Sequence, residues 1–274
     1  MDEAEVRDIV GLGMPDYEID SVVPLGDGLD NYAFEINGHL IVRVRRSHDP
    51  EGTAREAGIL AAVAAVATVA VPSPAFVLPE RSCLAYYKLP GVPLLELPQG
   101  FRMAHAEPIV AVLGELLAAL HAVRPAGALP DEEPLGEWLR EAAALYPAVA
   151  AHVPEVYRER IEVFLRAEPP IDDHQLVFSH NDLGIEHVLA DDSGKVTGVI
   201  DWADAALVDP ACDHGRLYRD LGPAALCATD RRLTERAVFY ARCGVLEDLA
   251  YGVETEKFRY VEKSLTALEW LFPS

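Results

Sequence analysis

The chain has little cysteine and none of it is paired in sequence. Cys83, Cys212, Cys227 and Cys243 are scattered through 274 residues with no C-x-x-C spacing. That excludes a disulfide framework and a cysteine zinc site, and points to a reducing, cytoplasmic setting. Positive charge is also scarce, with 23 Lys and Arg against 45 Asp and Glu, a net charge of −22. Nucleic acid and anionic membranes would be repelled, so neither is expected as a partner. Most of the charge reads as an acidic, solubilising surface, and it also suits a cationic small molecule drawn into an acidic cleft. Long apolar runs are missing. The longest, Ile59 to Val71, is interrupted by Thr68 and falls short of the ~20 residues a bilayer span needs. The opening MDEAEVRDIVG has neither the basic nor the apolar region of a signal peptide. No G-x-x-x-x-G-K-[ST] occurs anywhere, which excludes a Walker-type phosphate loop. Internal repeats and low-complexity tails are absent as well.

What is present divides into two regions. Residues 22 to 46 read as sheet: Val22, Val23 and Leu25 lead into Gly26-Asp27-Gly28, and Asn37-Gly38 is a strong hairpin turn. Leu40, Val42 and Val44 then alternate with Ile41, Arg43 and Arg45, which places the two arginines on one face. A helix is expected over about Thr53 to Ala67, and strands over 76–78 and 83–89, ending at Pro90-Gly91. Beyond Pro98 the pattern is mostly helical. Ile109, Val112, Leu113, Leu116, Leu117 and Leu120 give a core stripe ending near His121. Further helices are expected over Leu135–Leu145, over Glu155–Ala167, and from Thr234 to the terminus.

The most informative segment is LVFSHNDLGIEHVLADDSGKVTGVIDWADAALVDPACD, residues 176 to 213. A short apolar strand leads to Asp182, with His187 five residues on. A turn at Asp191 to Gly194 sends a second strand back to Asp201, near Asp182 and His187. One carboxylate to orient a hydroxyl, with further ligands to hold magnesium against nucleotide phosphates, is what phosphoryl transfer requires. The segment resembles the active-site loop of the aminoglycoside phosphotransferase family, small-molecule relatives of the protein kinases. The counterparts are His180, Asp182, His187, Asp201, Asp209-Pro210 and Asp213. The family usually has Asn where His187 stands. The histidine, with the VTGVIDWADA phrase, resembles the subgroups of aminoglycoside 2''-phosphotransferases and macrolide 2'-phosphotransferases.

The resemblance implies an α+β, bilobal kinase-like fold, with residues 1–90 as a nucleotide-binding lobe and 91–274 as a catalytic and substrate-binding lobe. It implies Asp182 as the catalytic residue, His187 and Asp201 as Mg2+ ligands, and ATP or GTP as co-substrate, with GTP favoured by the histidine-bearing subgroups. Imidazole is an unusual partner for a hard cation, so His187 is the weaker ligand. His180 is expected to support the loop backbone, and Asp209 and Asp213 to brace it. Glu56 shares a helical face with Ile59, Leu60 and Val63, so it points inward and needs a cation. Arg43 is the natural one, in the place of the kinase lysine, with Arg45 competing on the same face. Gly26, Gly28 and Asn31 are candidates for the turn over the nucleotide, and Tyr87 and Leu89 belong to the hinge segment, Tyr86 to Pro90. The acceptor is expected to be a hydroxylated, cationic small molecule, foremost an aminoglycoside antibiotic. A macrolide, a sugar or amino alcohol, and a non-catalytic nucleotide- or ligand-sensing module are the alternatives. Asp204, Asp220, Glu254, Glu256, Glu262 and Glu269 are candidate acceptor contacts, and Trp202, Tyr218, Trp270 and Phe272 candidate apolar walls. A monomer or weak dimer is expected.

Overall fold

The structure is a computed structural model, and it describes residues 1–27, 31–226 and 231–273. Helix α1 (Glu3–Gly13) precedes five strands, β1 (Val22–Asp27), β2 (Asn31–Ile36), β3 (Leu40–Arg45), β4 (Pro74–Leu78) and β5 (Cys83–Tyr87), with α2 (Pro50–Ala64) inserted after β3. The strands form one antiparallel sheet in the order β1-β2-β3-β5-β4. Both strands that contain a proline, β1 with Pro24 and β4 with Pro74, lie at the edges, where the missing N–H costs no ladder bond. Asn37 and Gly38 both have positive φ, 52° and 76°, as the central residues of the turn closed by the His39 N–H on the Ile36 carbonyl.

The alternation along β3 decides what each face of the sheet does. Leu40, Val42 and Val44 are buried with Val6, Ile9 and Val10 of α1. Ile41, Arg43 and Arg45 face the other way, toward α2. The sequence pattern did not anticipate α1, although Asp2 and Glu5 form a reciprocal capping box at its start. Helix α2 begins a turn before the expected Thr53, because Asp49 caps the Gly52 N–H and Pro50 occupies the first helical position.

After β5 the chain passes through Gly91 into the mostly helical region. Strand β6 (Val92–Pro93) pairs with β8 (Val188–Ala190), which pairs with β9 (Val196–Val199). Gly91 has φ 99°, and a Cβ there would lie 2.4 Å from Thr197 Oγ1 and 2.7 Å from the Ala190 carbonyl. Only glycine fits where the chain crosses between lobes. The helices are α3 (Gln99–Ala104), α4 (Ala106–His121), α5 (Leu135–Val149), α6 (Glu155–Leu165), α7 (Ala211–Leu221), α8 (Arg231–Glu254) and α9 (Phe258–Leu271). Strands β7 (Val177–Ser179) and β10 (Ala206–Val208) pair antiparallel on either side of the β8–β9 hairpin. The helices expected from about Thr234 to the terminus are α8 and α9, with Glu256 at φ 57° in the turn between them. Helix α7 was not expected, although Ala211, Leu217, Tyr218 and Leu221 form a buried apolar side along it. Among the described residues no helix is long and apolar enough to cross a membrane.

Candidate active site

The loop after β7 is held from below by one helix. Asp213, Arg216 and Asp220 lie on the same side of α7, spaced by three and four residues. Asp213, with 0% exposure, accepts hydrogen bonds from Ser179 Oγ (2.6 Å), from the Asn181 N–H (2.8 Å) and from the Leu183 N–H (3.0 Å). Asp220 accepts from the Ile185 N–H at 3.2 Å, and is itself gripped in two places by Arg219, at 2.8 and 2.9 Å. Between them Arg216 Nε donates to Asp182 Oδ1 at 3.1 Å. Asp213 thus has the bracing role expected of it. Asp209 does not touch this loop: it accepts from the Ala211 N–H and from Arg236 Nε at 2.6 Å, which ties the start of α7 to α8.

His180 is buried and packs on the Trp202 ring, with centroids 4.5 Å apart. Its Nε2 donates to the Ile200 carbonyl at 3.0 Å, while Nδ1 accepts from the Asp182 N–H at 3.2 Å. Both bonds need the neutral ring, and burial pushes its pKa down. His180 therefore joins the strand carrying Asp182 to the strand carrying Asp201. Both ends are bent sharply: Asn181 has φ 65° and Asp201 φ 60°, a left-handed conformation that Asn and Asp tolerate better than most residues.

Asp182, His187 and Asp201 come together. His187 Nε2 lies 3.8 Å from Asp182 Oδ2, too far for a hydrogen bond, and its Nδ1 is buried with no partner. Burial opposes the charge on Asp182, but Arg216, His187 and His180 more than reverse this and hold the carboxyl well below its usual range. Asp201 follows the same logic: burial opposes its charge, Arg43 with His187 and His180 lower its pKa, and the nearby negative charge of Asp182 pushes back. Each carboxylate feels the other, and both stay ionised.

Asp201 faces the first lobe. Arg43 Nη2 reaches its Oδ1 at 2.8 Å, while Arg43 Nη1 reaches Glu56 Oε1 at 3.1 Å. Arg45 also binds Glu56, through Nη2 to Oε2 at 2.8 Å. Of the two arginines only Arg43 reaches the cleft. That cleft, a cavity of about 310 Å3, is lined by Leu25, Ala33, Ile41, Tyr86, Lys88, Leu89 and Gly91 above, by Leu189 and Ile200 below, and by Arg43 and Asp201 at one end. A narrow, mostly apolar slot with charged groups at one end suits a planar base carrying phosphates.

The remaining candidates are placed as follows. Gly26 pairs with Ala33 across β1 and β2, next to an irregularity in register. Asn31 opens β2 opposite Arg45 and does not line the cleft. Leu89 lines it, whereas Tyr87 does not: its side chain is 51% exposed and stacks on His39. Gly28 lies outside the described residues.

A second, larger cavity of about 650 Å3 opens on the other side of Asp182. Its wall carries eight carboxylates: Asp131, Glu132 and Glu133 from the loop before α5, Asp172, Asp182, Asp204, Asp209, and Glu247 of α8. Burial and the neighbouring Glu141 and Asp131 push the Glu133 pKa up, against the pull of Arg140. Trp138 and Tyr240 supply the aromatic surface, with ring centroids 5.2 Å apart and planes at 85°. Of the six acids anticipated from sequence only Asp204 lines this cavity. Asp220 is buried under the loop, and the other four sit elsewhere on α8, α9 and the turn between them. None of the four anticipated aromatic walls lines it either; Trp202 and Phe272 are buried in the core, and Tyr218 and Trp270 bond to each other's backbone carbonyls. Arg216 was not singled out from the sequence, yet it stands three residues from Asp213, the signal that places it on the loop-facing side of a helix.

A five-stranded sheet whose central strand and helix share an Arg–Glu pair, joined to a helical lobe that presents two linked aspartates, defines the kinase-like phosphotransferase class. The sequence profile described as "Phosphotransferase enzyme family" matches residues 21–244, and the chain belongs to that family. The viomycin phosphotransferase of Streptomyces vinaceus is 31% identical over 154 residues, 54% of this chain and 53% of that protein, so the match spans about half the length of this curated relative. Among solved structures, the GDP and kanamycin complex of APH(2")-IIia aligns with a TM-score of 0.68 at 20% identity, covering 97% of this chain and 98% of the other. Macrolide 2'-phosphotransferase MphH from Brachybacterium faecium, as the apoenzyme, aligns with a TM-score of 0.62 at 23% identity, covering 98% of each chain. The bilobal α+β fold expected from the catalytic loop is thereby established.

Proposed function

We propose that this protein transfers the γ-phosphoryl group of ATP or GTP to a hydroxyl of a polycationic antibiotic, foremost an aminoglycoside. The observation that carries the reading is the position of the two aspartates at the junction of two unlike cavities. Asp201 closes the apolar inter-lobe slot and Asp182 opens the acidic one. A base in the first and an amine-bearing acceptor in the second would meet at this pair. Eight carboxylates around one cavity favour an acceptor with several positive charges over a largely apolar macrolide. The match to viomycin phosphotransferase makes viomycin a second acceptor to test. Three described cysteines, Cys83, Cys212 and Cys243, are buried and unpaired, in keeping with a cytoplasmic enzyme that has nucleoside triphosphates at hand.

Asp182 would accept a hydrogen bond from the acceptor hydroxyl and aim its oxygen at the γ-phosphorus. Its contribution is orientation, with Arg216 fixing the carboxylate through Oδ1. Magnesium fits the residues present: Asp201 is an ionised carboxylate at the end of the cleft, and the ion takes one or two carboxylates and completes its shell with phosphate and water. Asp201 would hold it, with His187 beside it; when bound, the ion would neutralise charge on the phosphates.

The reading is tested with a panel of aminoglycosides, viomycin and macrolides, run with MgATP and MgGTP in parallel and followed by product mass. Aminoglycosides or viomycin should gain one phosphoryl group and macrolides should not. Selective modification of macrolides, or no product with either nucleotide, overturns it. For His187, the substitution His187→Asn should leave magnesium-dependent kcat equal or higher, because an amide oxygen suits the hard cation better than imidazole. Complete loss of turnover in a folded variant would mean that the ring does something oxygen cannot.

A further inference from the structure

Arg43 has two donor arms and, on the reading above, three claimants: Glu56, Asp201 and the phosphates of a nucleotide in the cleft whose wall it forms. To serve phosphate, Nη2 must leave Asp201, and drawing the guanidinium toward the triphosphate loosens Nη1 from Glu56. Glu56 is only 4% exposed, and a carboxylate that buried cannot be left without a cation. Its second oxygen already has one. Arg45 Nη2 sits 2.8 Å from Glu56 Oε2, from a position two residues along the same strand and therefore on the same face. The other end of the Arg45 fork is steadied by Asp49, with Nη1 3.8 Å from Oδ2. Its Nε is buried without a partner, so the grip rests on the terminal nitrogens. Arg45 does not line the nucleotide cleft.

We infer that Arg45 is a positioning residue that keeps Glu56 paired while Arg43 exchanges Asp201 for the phosphates of the nucleotide. One cation anchors the helix glutamate, and the neighbouring one is released for the substrate. Arginine suits both posts, since its planar fork binds a carboxylate through one arm and leaves the other to turn. Because Arg45 is outside the cleft, any effect of its loss on nucleotide binding must pass through Glu56 and Arg43.

The inference rests on the proposed nucleotide site but not on the acceptor, so the test is equilibrium binding of MgATP and MgGTP by calorimetry with no antibiotic present. A failed antibiotic panel leaves this measurement intact. Arg45→Gln should weaken nucleotide binding about tenfold, and Arg45→Lys, which keeps the charge, should stay within about threefold of the parent. In a Glu56→Gln background there is no carboxylate to keep paired, so adding Arg45→Gln should change Kd by less than about twofold. That second comparison decides the matter even if Arg45→Gln alone fails to fold. A purely structural Arg45 would lower Tm in both backgrounds and leave Kd alone. Binding by Arg45→Gln within twofold of the parent, or the same loss with and without Glu56, overturns the inference.

Discussion

Asp182→Ala is expected to lower kcat by at least ~10³-fold while nucleotide Kd changes less than about threefold. The asymmetry follows from where the residue stands. Asp182 lines the acidic cavity and not the inter-lobe slot, so its loss leaves the base and phosphate contacts in place. One of its oxygens, Oδ1, is taken by Arg216, which fixes the carboxylate plane and leaves Oδ2 to receive a hydroxyl. Asp182→Asn separates charge from shape, since its amide oxygen can still accept from Arg216 Nε. The asparagine variant should recover no more than about tenfold over alanine, because a neutral amide orients a hydroxyl less strongly than a carboxylate. Transfer by either variant above a tenth of the parental rate would remove Asp182 from the reaction.

Asp213→Ala is expected to have the largest effect on stability. One buried carboxylate holds the Ser179 hydroxyl and the N–H groups of Asn181 and Leu183, and alanine would strand all three donors. Breaking a buried charged network of this kind costs about 3–5 kcal/mol, which lowers Tm by about 10 °C in a chain of this size. The loop that carries Asp182 would also lose its floor. A misplacement of about 1 Å costs on the order of 10² in rate, so kcat should fall with Tm, and should remain low well below the melting transition. Asp209→Ala separates the two effects: it breaks the pair with Arg236 and leaves the loop contacts alone. Tm should fall while kcat stays near parental, and any loss of activity should appear in the acceptor KM because Asp209 lines the acidic cavity. A Tm shift below about 2 °C for Asp213→Ala would show that the loop is held by something else.

Much of the first lobe could be read locally. The Asn37-Gly38 turn, the two faces of β3 and the inward stripe of α2 each follow from short-range rules, and together they bring Arg43, Arg45 and Glu56 to one spot. The helix boundaries shifted where a cap and a proline set the start of α2. In the second lobe, α7 buries two sides: Ala211, Leu217, Tyr218 and Leu221 in the apolar core, and Asp213, Arg216 and Asp220 against a loop of backbone N–H groups and a carboxylate. Apolar periodicity reports the first side and says nothing of the second. The acidic cavity was out of reach of the sequence for a related reason. Acidic residues on α9 look like candidates in sequence, yet the cavity takes its charge from the loop at 131–133, from Asp172 and from Glu247.

The sequence by itself determined where the proposed chemistry sits. Asp182, His187 and Asp201 sit on a hairpin of fixed length, and backbone geometry leaves few ways to arrange residues so close along the chain. Only the tertiary structure decided the acceptor cavity, the Arg216 contact and the sharing of Glu56 between two arginines. Those depend on side chains more than ten residues apart, in most cases on different helices and loops, and their meeting is set by how whole elements pack rather than by any local repeat.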